Sequence, residues 1–149
     1  MAAKKILIVD YDPKSLESMV NLFLPHEFVI LKASDGQEAY EKYKAEKPDL
    51  IILEAMLPKL HGFDLTQKVY KETKGTVPVV IVTGLYKGTQ YRNEAINSFG
   101  AAEYFEKPLD EKKLVESVLS LLIEEIEIDE KLPAPEEVIN AISELLPKK

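Results

Sequence analysis

Polar side chains that could bind a cation or an anion stand at the ends of several apolar runs in this sequence. Asp10 and Asp12 follow the run 6–9, and Glu54 ends the run 49–54. Unbroken apolar runs of this length predict strands that are buried on both faces of a parallel sheet. Carboxylates at the ends of such strands are the hard oxygen ligands that Mg²⁺ prefers.

Two further polar groups, a hydroxyl and an ammonium, follow later runs. Thr83 comes directly after the apolar run 77–82, and Lys107 follows a shorter run at 103–105. The carboxyl ends of the strands in an open α/β sheet border one crevice. We therefore expect one site that combines carboxylates, a hydroxyl and an ammonium.

Apolar runs alternate with amphipathic segments along the first 123 residues. This alternation predicts a parallel sheet covered by helices on both faces, in a three-layer α/β/α sandwich. Asp12 before Pro13 predicts the start of the first helix, with an acid as the cap and proline in the first turn. The predicted strands are 6–9, 28–31, 49–54, 77–82 and 103–105.

Six short motifs, taken together, resemble the receiver domain of two-component response regulators. One motif alone would be a weak signal, but six in the same order and at similar spacing indicate the family. The resemblance covers residues 5–123, so we expect a receiver-like domain over 1–124. The motifs are 6–10, 49–53, 56–62, 82–83, 100–104 and 107–108.

The resemblance implies a flavodoxin-like fold, with a doubly wound, five-stranded parallel sheet of order 2-1-3-4-5. It also implies phosphoryl transfer to an aspartate at the end of the third strand. Mg²⁺ and a lysine would then meet the charge on the transferred group. A threonine hydroxyl and an aromatic side chain would report phosphorylation to the outer helices.

Several residues match positions to which the resemblance assigns a role. Asp10 matches the first metal-binding acid, and Lys107 matches the phosphate-binding lysine. Thr83 matches the switch hydroxyl and Tyr104 the switch aromatic. Met56 occupies the position whose backbone carbonyl contacts the metal, which any residue can supply.

Two residues depart from the family at the positions that its chemistry needs most. Glu54 replaces the phosphoacceptor aspartate, and Tyr11 replaces the second metal-binding acid. Tyrosine is a poor Mg²⁺ ligand because its phenol stays protonated at neutral pH. Moving a reacting group by about 1 Å can cost ~100-fold in rate. Asp12 could supply the missing acid, although helix capping is the more common role for an acid before proline.

We therefore expect a stand-alone, receiver-like signalling module that is not an enzyme and acts by binding proteins. In this hypothesis Glu54 extends a negative charge toward Lys107 and Thr83, where a phosphoryl oxygen would lie. A Glu54–Lys107 ion pair would then hold a signalling-like state without phosphate. No cofactor is expected.

Two alternatives remain open at this point. The chain could still be phosphorylated weakly with Mg²⁺, through a degenerate metal site. Such a site would use Asp10, Asp12, Glu54 and the carbonyl of Met56. The crevice could instead bind a small molecule in the manner of a flavodoxin, although its carboxylates oppose a phosphate-bearing cofactor.

Charge and composition limit the classes of partner that this chain is expected to bind. The formal net charge is −7, with no basic stripe of the kind that binds nucleic acid. No apolar run approaches the ~18 residues of a membrane span, and the chain has no cysteine. We expect a cytoplasmic protein whose partners are signalling proteins, namely a histidine kinase or a downstream effector, with no nucleic acid and no membrane.

Residues 125–149 differ in character from the rest. An acidic linker leads to a short amphipathic segment that begins at Glu136, and its apolar residues predict an extra C-terminal helix. This helix could pack back on the domain, since so short a helix is unstable alone, or it could dock on a partner or a second copy. A homodimer could form through this helix or through the face of the fourth helix, fifth strand and fifth helix.

Overall fold

Five parallel strands form a single sheet. The computed structural model describes the backbone of residues 3–129 and the side chains of residues 3–123. The strands are β1 (Lys5–Val9), β2 (Val29–Ala33), β3 (Leu50–Glu54), β4 (Val79–Thr83) and β5 (Glu103–Glu106). Their order in the sheet is β2-β1-β3-β4-β5, which confirms the order that the family resemblance implies.

Helices connect the strands and cover both faces of the sheet, as the alternating sequence pattern predicts. They are α1 (Pro13–Phe23), α2 (Gly36–Glu46), α3 (Gly62–Thr73), α4 (Thr89–Asn97) and α5 (Glu111–Asp129). Because every strand-to-strand connection contains a helix, all neighbouring strands pair in parallel. The three-layer fold class is thus confirmed.

The three central strands carry almost no polar residues because both of their faces are covered. Every residue of β3 and β4 is buried, as are the last four residues of β1. A strand buried on both faces reads as a continuous apolar run, not as an alternating one. Glu54 and Thr83 are therefore exceptional as polar residues inside these strands.

Alternate residues of each strand feed two separate cores. Leu7 and Ile51 point into the core under α2, α3 and α4. Ile6 and Ile52 point into the core under α1 and α5, where they meet Leu114. Complete burial of one such side chain contributes roughly 1.5–3 kcal/mol. These two cores hold the strand ends, and hence the site, in fixed positions.

Side-chain caps begin α1 and α2 at the carboxyl edge of the sheet. Asp12 caps α1 by accepting a hydrogen bond from the backbone N–H of Lys14 at 3.1 Å. Asp35 caps α2 by accepting from the N–H of Glu38 at 2.7 Å, and Glu38 accepts from the N–H of Ser34 at 2.7 Å. This arrangement differs from a capping box in that Glu38 bonds the residue before the cap. The hydrogen bond from Glu38 lowers the pKa of Asp35.

Predicted strand boundaries shift by one or two residues in the structure. The fourth strand begins at Val79, not at Val77, because Pro78 has no N–H for the ladder and only its carbonyl pairs, with the N–H of Ile51. Helix α5 continues to Asp129, past the predicted domain boundary at 124.

The predicted C-terminal helix from Glu136 lies outside the described residues, as does most of the acidic linker. No helix in the described part of the chain is both long enough and apolar enough to cross a membrane.

Substitution of Gly62 tests how closely the start of α3 approaches the end of β3. A Cβ added there would lie 2.6 Å from the carbonyl oxygens of both Glu54 and Ala55. We expect Gly62→Ala to lower the free energy of unfolding by about 1–3 kcal/mol through overpacking, measured by urea unfolding. Gly84→Ala is the control, because its Cβ would meet Lys107 at an ordinary 3.5 Å. Equal losses in both variants would contradict this account.

Candidate functional site

The ammonium of Lys107 lies between two buried carboxylates at the carboxyl edge of the sheet. Lys107 Nζ is 3.4 Å from Glu54 Oε1 and 3.6 Å from Asp10 Oδ2. Glu54 is 6% exposed and Asp10 is 4% exposed. The Glu54–Lys107 ion pair expected from the sequence is therefore present, and Asp10 shares the same cation.

Strand register explains why these groups meet. Val9 pairs with Leu53 in adjacent strands, so the next residues, Asp10 and Glu54, lie side by side. Lys107 follows β5, which is separated from β3 by β4. Its methylene stem passes close to Gly84, just beyond the end of β4. A long side chain is thus required to reach the acids.

Each carboxylate divides its two oxygens between backbone and cation. Glu54 Oε2 accepts a hydrogen bond from the N–H of Met56 at 3.3 Å, while Oε1 faces Lys107. Asp10 Oδ1 accepts from the N–H of Asp12 at 3.0 Å, while Oδ2 faces Lys107. Buried charges are tolerated only when they are paired and hydrogen-bonded, and both acids meet that condition.

Ser15 completes the surroundings of the ammonium, although the sequence analysis gave it no role. Lys107 Nζ donates to Ser15 Oγ at 3.0 Å. An ammonium has three donors, and Asp10, Glu54 and Ser15 provide three oxygens around it. The only sequence signal was position, because Ser15 lies in the first turn of a helix that begins at the same edge.

Asp12 and Met56, the remaining predicted metal ligands, contact this cluster through their backbone N–H groups. The side chain of Asp12 caps α1, in the role that its place before proline favours. Met56 is 40% exposed and contributes its N–H to Glu54. Tyr11, at the position of the missing acid, is 48% exposed.

These residues do not fit the Mg²⁺ that the family implies, in the arrangement observed. Lys107 occupies the position between Asp10 and Glu54 that a bridging cation would need. Within residues 3–123, no three carboxylate, thiolate or imidazole groups are placed to hold a metal ion.

Thr83 is buried and uses its hydroxyl to hold the following loop. Its Oγ1 accepts hydrogen bonds from the N–H groups of Leu85 at 3.2 Å and Tyr86 at 3.3 Å. Glu106 accepts from the N–H of Gly88 at 2.7 Å, near the end of the same loop. The structure thus gives Thr83 a local structural contact, beside the switch role that the resemblance implies.

Tyr104 is buried and also contacts this loop. Its hydroxyl donates to the carbonyl of Tyr86, and its own carbonyl accepts from Arg92 at 2.8 Å. Burial is the main cause that raises the pKa of Tyr104 to about 12. His61, which the sequence did not assign to a site, hydrogen-bonds the hydroxyl of Tyr86 at 3.1 Å. Tyr86 therefore links the start of α3 to β5.

Comparisons with known proteins identify the same family throughout. A sequence profile of the response regulator receiver domain matches residues 6–119. The chain is 30% identical over 119 residues to protein PilH of Pseudomonas aeruginosa, covering 79% of this chain and 97% of PilH. It is 33% identical to the alkaline phosphatase synthesis transcriptional regulatory protein PhoP of Bacillus subtilis, covering 80% of this chain and 48% of PhoP. The chain thus spans about half the length of PhoP.

Solved structures of receiver domains superpose on this chain. A CheY-like response regulator receiver protein of Methanospirillum hungatei superposes with a TM-score of 0.75 and is 27% identical, covering 83% of this chain and 97% of that one. A chain of the CheX–CheY–BeF3–Mg²⁺ complex of Borrelia burgdorferi superposes with a TM-score of 0.72 and is 28% identical, covering 80% of this chain and 89% of that one.

Removing Lys107 should be costly because two buried acids would lose their shared cation. We expect Lys107→Met to lower the free energy of unfolding by roughly 2–4 kcal/mol, measured by urea unfolding. Lys42→Met removes an exposed ion pair with Glu38 and should cost about 0–1 kcal/mol. Combining Lys107→Met with Glu54→Gln should cost less than the sum of the single losses. Additive losses would show that the pair is not coupled.

The raised pKa of Tyr104 predicts a pH dependence. We expect Tyr104→Phe to cost about 1–2 kcal/mol near neutral pH, because the Tyr86 carbonyl loses its donor. An unfolded tyrosine ionises near pH ~10, below the pKa of about 12 in the fold. Wild-type stability from this group is therefore lost as pH rises from 10 through 12. The gap between wild type and variant in chemical unfolding should narrow there, and a constant gap would contradict the assignment.

Proposed function

The chain belongs to the response regulator receiver domain family, and from this premise we propose that it signals by binding partner proteins without efficient phosphorylation. As a member of that family it is a receiver domain of two-component signalling. The finer proposal concerns how this particular domain works. Its pocket carries a permanent carboxylate, Glu54, in the position where the family carries the phosphoacceptor aspartate.

The observation that carries the proposal is the contact of Lys107 with Glu54 and Asp10. The resemblance implies that Lys107 binds the negatively charged phosphoryl group. In this structure the lysine already has two carboxylate partners, at 3.4 and 3.6 Å. A phosphoryl group arriving at this site would have to displace them. The same displacement would be needed for a cation between the two acids.

The paired state also has a route to the protein surface. The backbone N–H of Lys107 donates to the carbonyl of Thr83 at 2.9 Å. Thr83 in turn holds the N–H groups of Leu85 and Tyr86. Leu85 is 57% exposed. We infer that the fixed Lys107 contacts favour one conformation of this loop, next to α4.

The proposed partners are a histidine kinase or a downstream effector that recognises this conformation. The proposed contact face comprises α4, β5 and α5, which a homodimer could also use. In this proposal the domain has no enzymatic activity of its own and requires no cofactor.

A phosphoryl analogue tests the proposal directly. We expect beryllofluoride with Mg²⁺ to leave the amide NMR signals of residues 83–88 unchanged in the wild type, because the acceptor and a metal ligand are altered. The double variant Glu54→Asp/Tyr11→Asp restores the family's acids and should show shifted signals under the same conditions. Shifts of equal size in the wild type would establish the alternative, a receiver that is still phosphorylated with Mg²⁺.

A matched control separates the analogue from nonspecific fluoride or metal binding. The double variant should lose its response when Lys107→Met is added, since the analogue then has no ammonium to contact. Acetyl phosphate with Mg²⁺ should likewise leave the intact mass of the wild type unchanged. Addition of one phosphoryl group to most of the wild-type chains would overturn the proposal.

A further inference from the structure

A groove opens at the amino-terminal edge of the sheet, at the opposite end from Glu54. We call it the lower groove. Its volume is about 280 Å³, and it lies between the ends of α3 and α4 and the segments that enter β4 and β5. The side chains that matter here are those of Tyr70, Val77, Pro78 and Ile96. Asn97 and Ser98 also line it, so the lower groove combines an apolar patch with polar groups beside the edge of the core.

Tyr70 is exposed and packs beside two glycines. It is 46% exposed, yet a Cβ added at Gly100 would lie only 2.3 Å from its Cγ. A Cβ added at Gly75 would lie 3.1 Å from its Cε2. Both glycines have positive φ, at 83° and 80°. The absence of a side chain at both positions makes room for the ring.

Helix α5 delivers the rest of the chain to this edge. It begins just after Lys107, at the carboxyl edge, and packs along the sheet through Leu114, Val118 and Leu122. The stretch 111–122 rises about 17 Å, close to the length of a five-residue strand. Its last described residue, Asp129, is therefore beyond the amino-terminal edge, and residues 130–149 continue from there.

The sequence of that continuation complements the lower groove. Val138, Ile142 and Leu145 recur at spacings of four and three, which predicts one apolar stripe on a helix. Such a short helix needs a surface to pack against. Glu136 and Glu137 precede the stripe and add negative charge.

Two lysines, which we call the rim lysines, are the sequence neighbours of Tyr70 and Gly75, which line the lower groove. Lys71 is in the last turn of α3, and Lys74 caps its end. Both are exposed, and neither is ion-paired within the described part of the chain. Glu103, at the start of β5, is the opposing charge on this edge.

We propose that residues 136–147 of this same chain dock in the lower groove. The stripe of Val138, Ile142 and Leu145 covers Tyr70 and its neighbours, while the acids before it face the rim lysines. The six residues 130–135 can span at most ~20 Å. That reach carries the chain around the sheet edge from the α5 face to the α3 face, across roughly two layer spacings of ~10 Å each.

Paramagnetic broadening tests this in the full chain, which has no cysteine of its own. A nitroxide attached to Asn93→Cys would stand on α4, one turn from the lower groove. We expect it to abolish most of the amide NMR signal of residues 136–147. A nitroxide on Gln37→Cys, at the start of α2 and the opposite edge, should leave those signals intact.

The stripe itself supplies the matched variant. Adding Ile142→Asp to the Asn93→Cys chain should restore the signals of 136–147, while the signals of residues 5–123 away from the lower groove keep their wild-type positions. The proposal fails if the Asn93 label leaves 136–147 at full intensity, or if Ile142→Asp leaves the broadening in place.

A mixed sample identifies the alternative occupant. One set of chains is enriched in nitrogen-15 and carries no nitroxide. It is mixed with a second set that has natural-abundance nitrogen and carries the nitroxide at Asn93→Cys. We expect no broadening in the mixture, because the contact is within one chain. Broadening there would assign the lower groove to a second copy and overturn the proposal. None of these outcomes depends on phosphoryl chemistry at Glu54.

Discussion

One partly buried cation, shared by two buried acids, is the interaction on which the site of this receiver domain depends. The Lys107 ammonium has Glu54 and Asp10 within 3.4 and 3.6 Å, and Ser15 at 3.0 Å. Neither acid has another cationic partner among the described residues, so the burial of both charges depends on this lysine. Under the proposed function, this ion pair takes the place of phosphoryl transfer at Glu54.

Hydrogen bonds connect the loop after β4 to Lys107. Lys107 donates its N–H to the Thr83 carbonyl, and Thr83 holds the first residues of the loop. From the other side, Tyr104 and His61 both hydrogen-bond Tyr86. The loop is therefore held by β4, β5 and the start of α3 together. A change at the site would have to break several of these contacts to move the loop, which is consistent with a domain that remains in one state.

Particular residues show how far sequence reasoning reached. The pairing of Glu54 with Lys107 was predictable because both follow strands whose order the motifs identify. The position of Asp12 before Pro13 predicted its capping role, and metal binding was the alternative. In the structure its side chain accepts a hydrogen bond from the N–H of Lys14. Ser15 was not predicted, since a serine in a first helical turn has many uses. Nor was Tyr86, whose role depends on contacts from three different elements.

The amino-acid sequence by itself determined the fold family, the order of the strands and the set of groups at their carboxyl ends. Those features follow from apolar periodicity and from short motifs, which are local in the chain. Only the tertiary structure showed that Asp10 and Ser15 share the Lys107 ammonium with Glu54. Distances between Lys107 and the two acids depend on the stagger and twist of separate strands and on the path of one long side chain past Gly84. Small differences in such positions separate an ion pair from a metal site, and no local pattern encodes them.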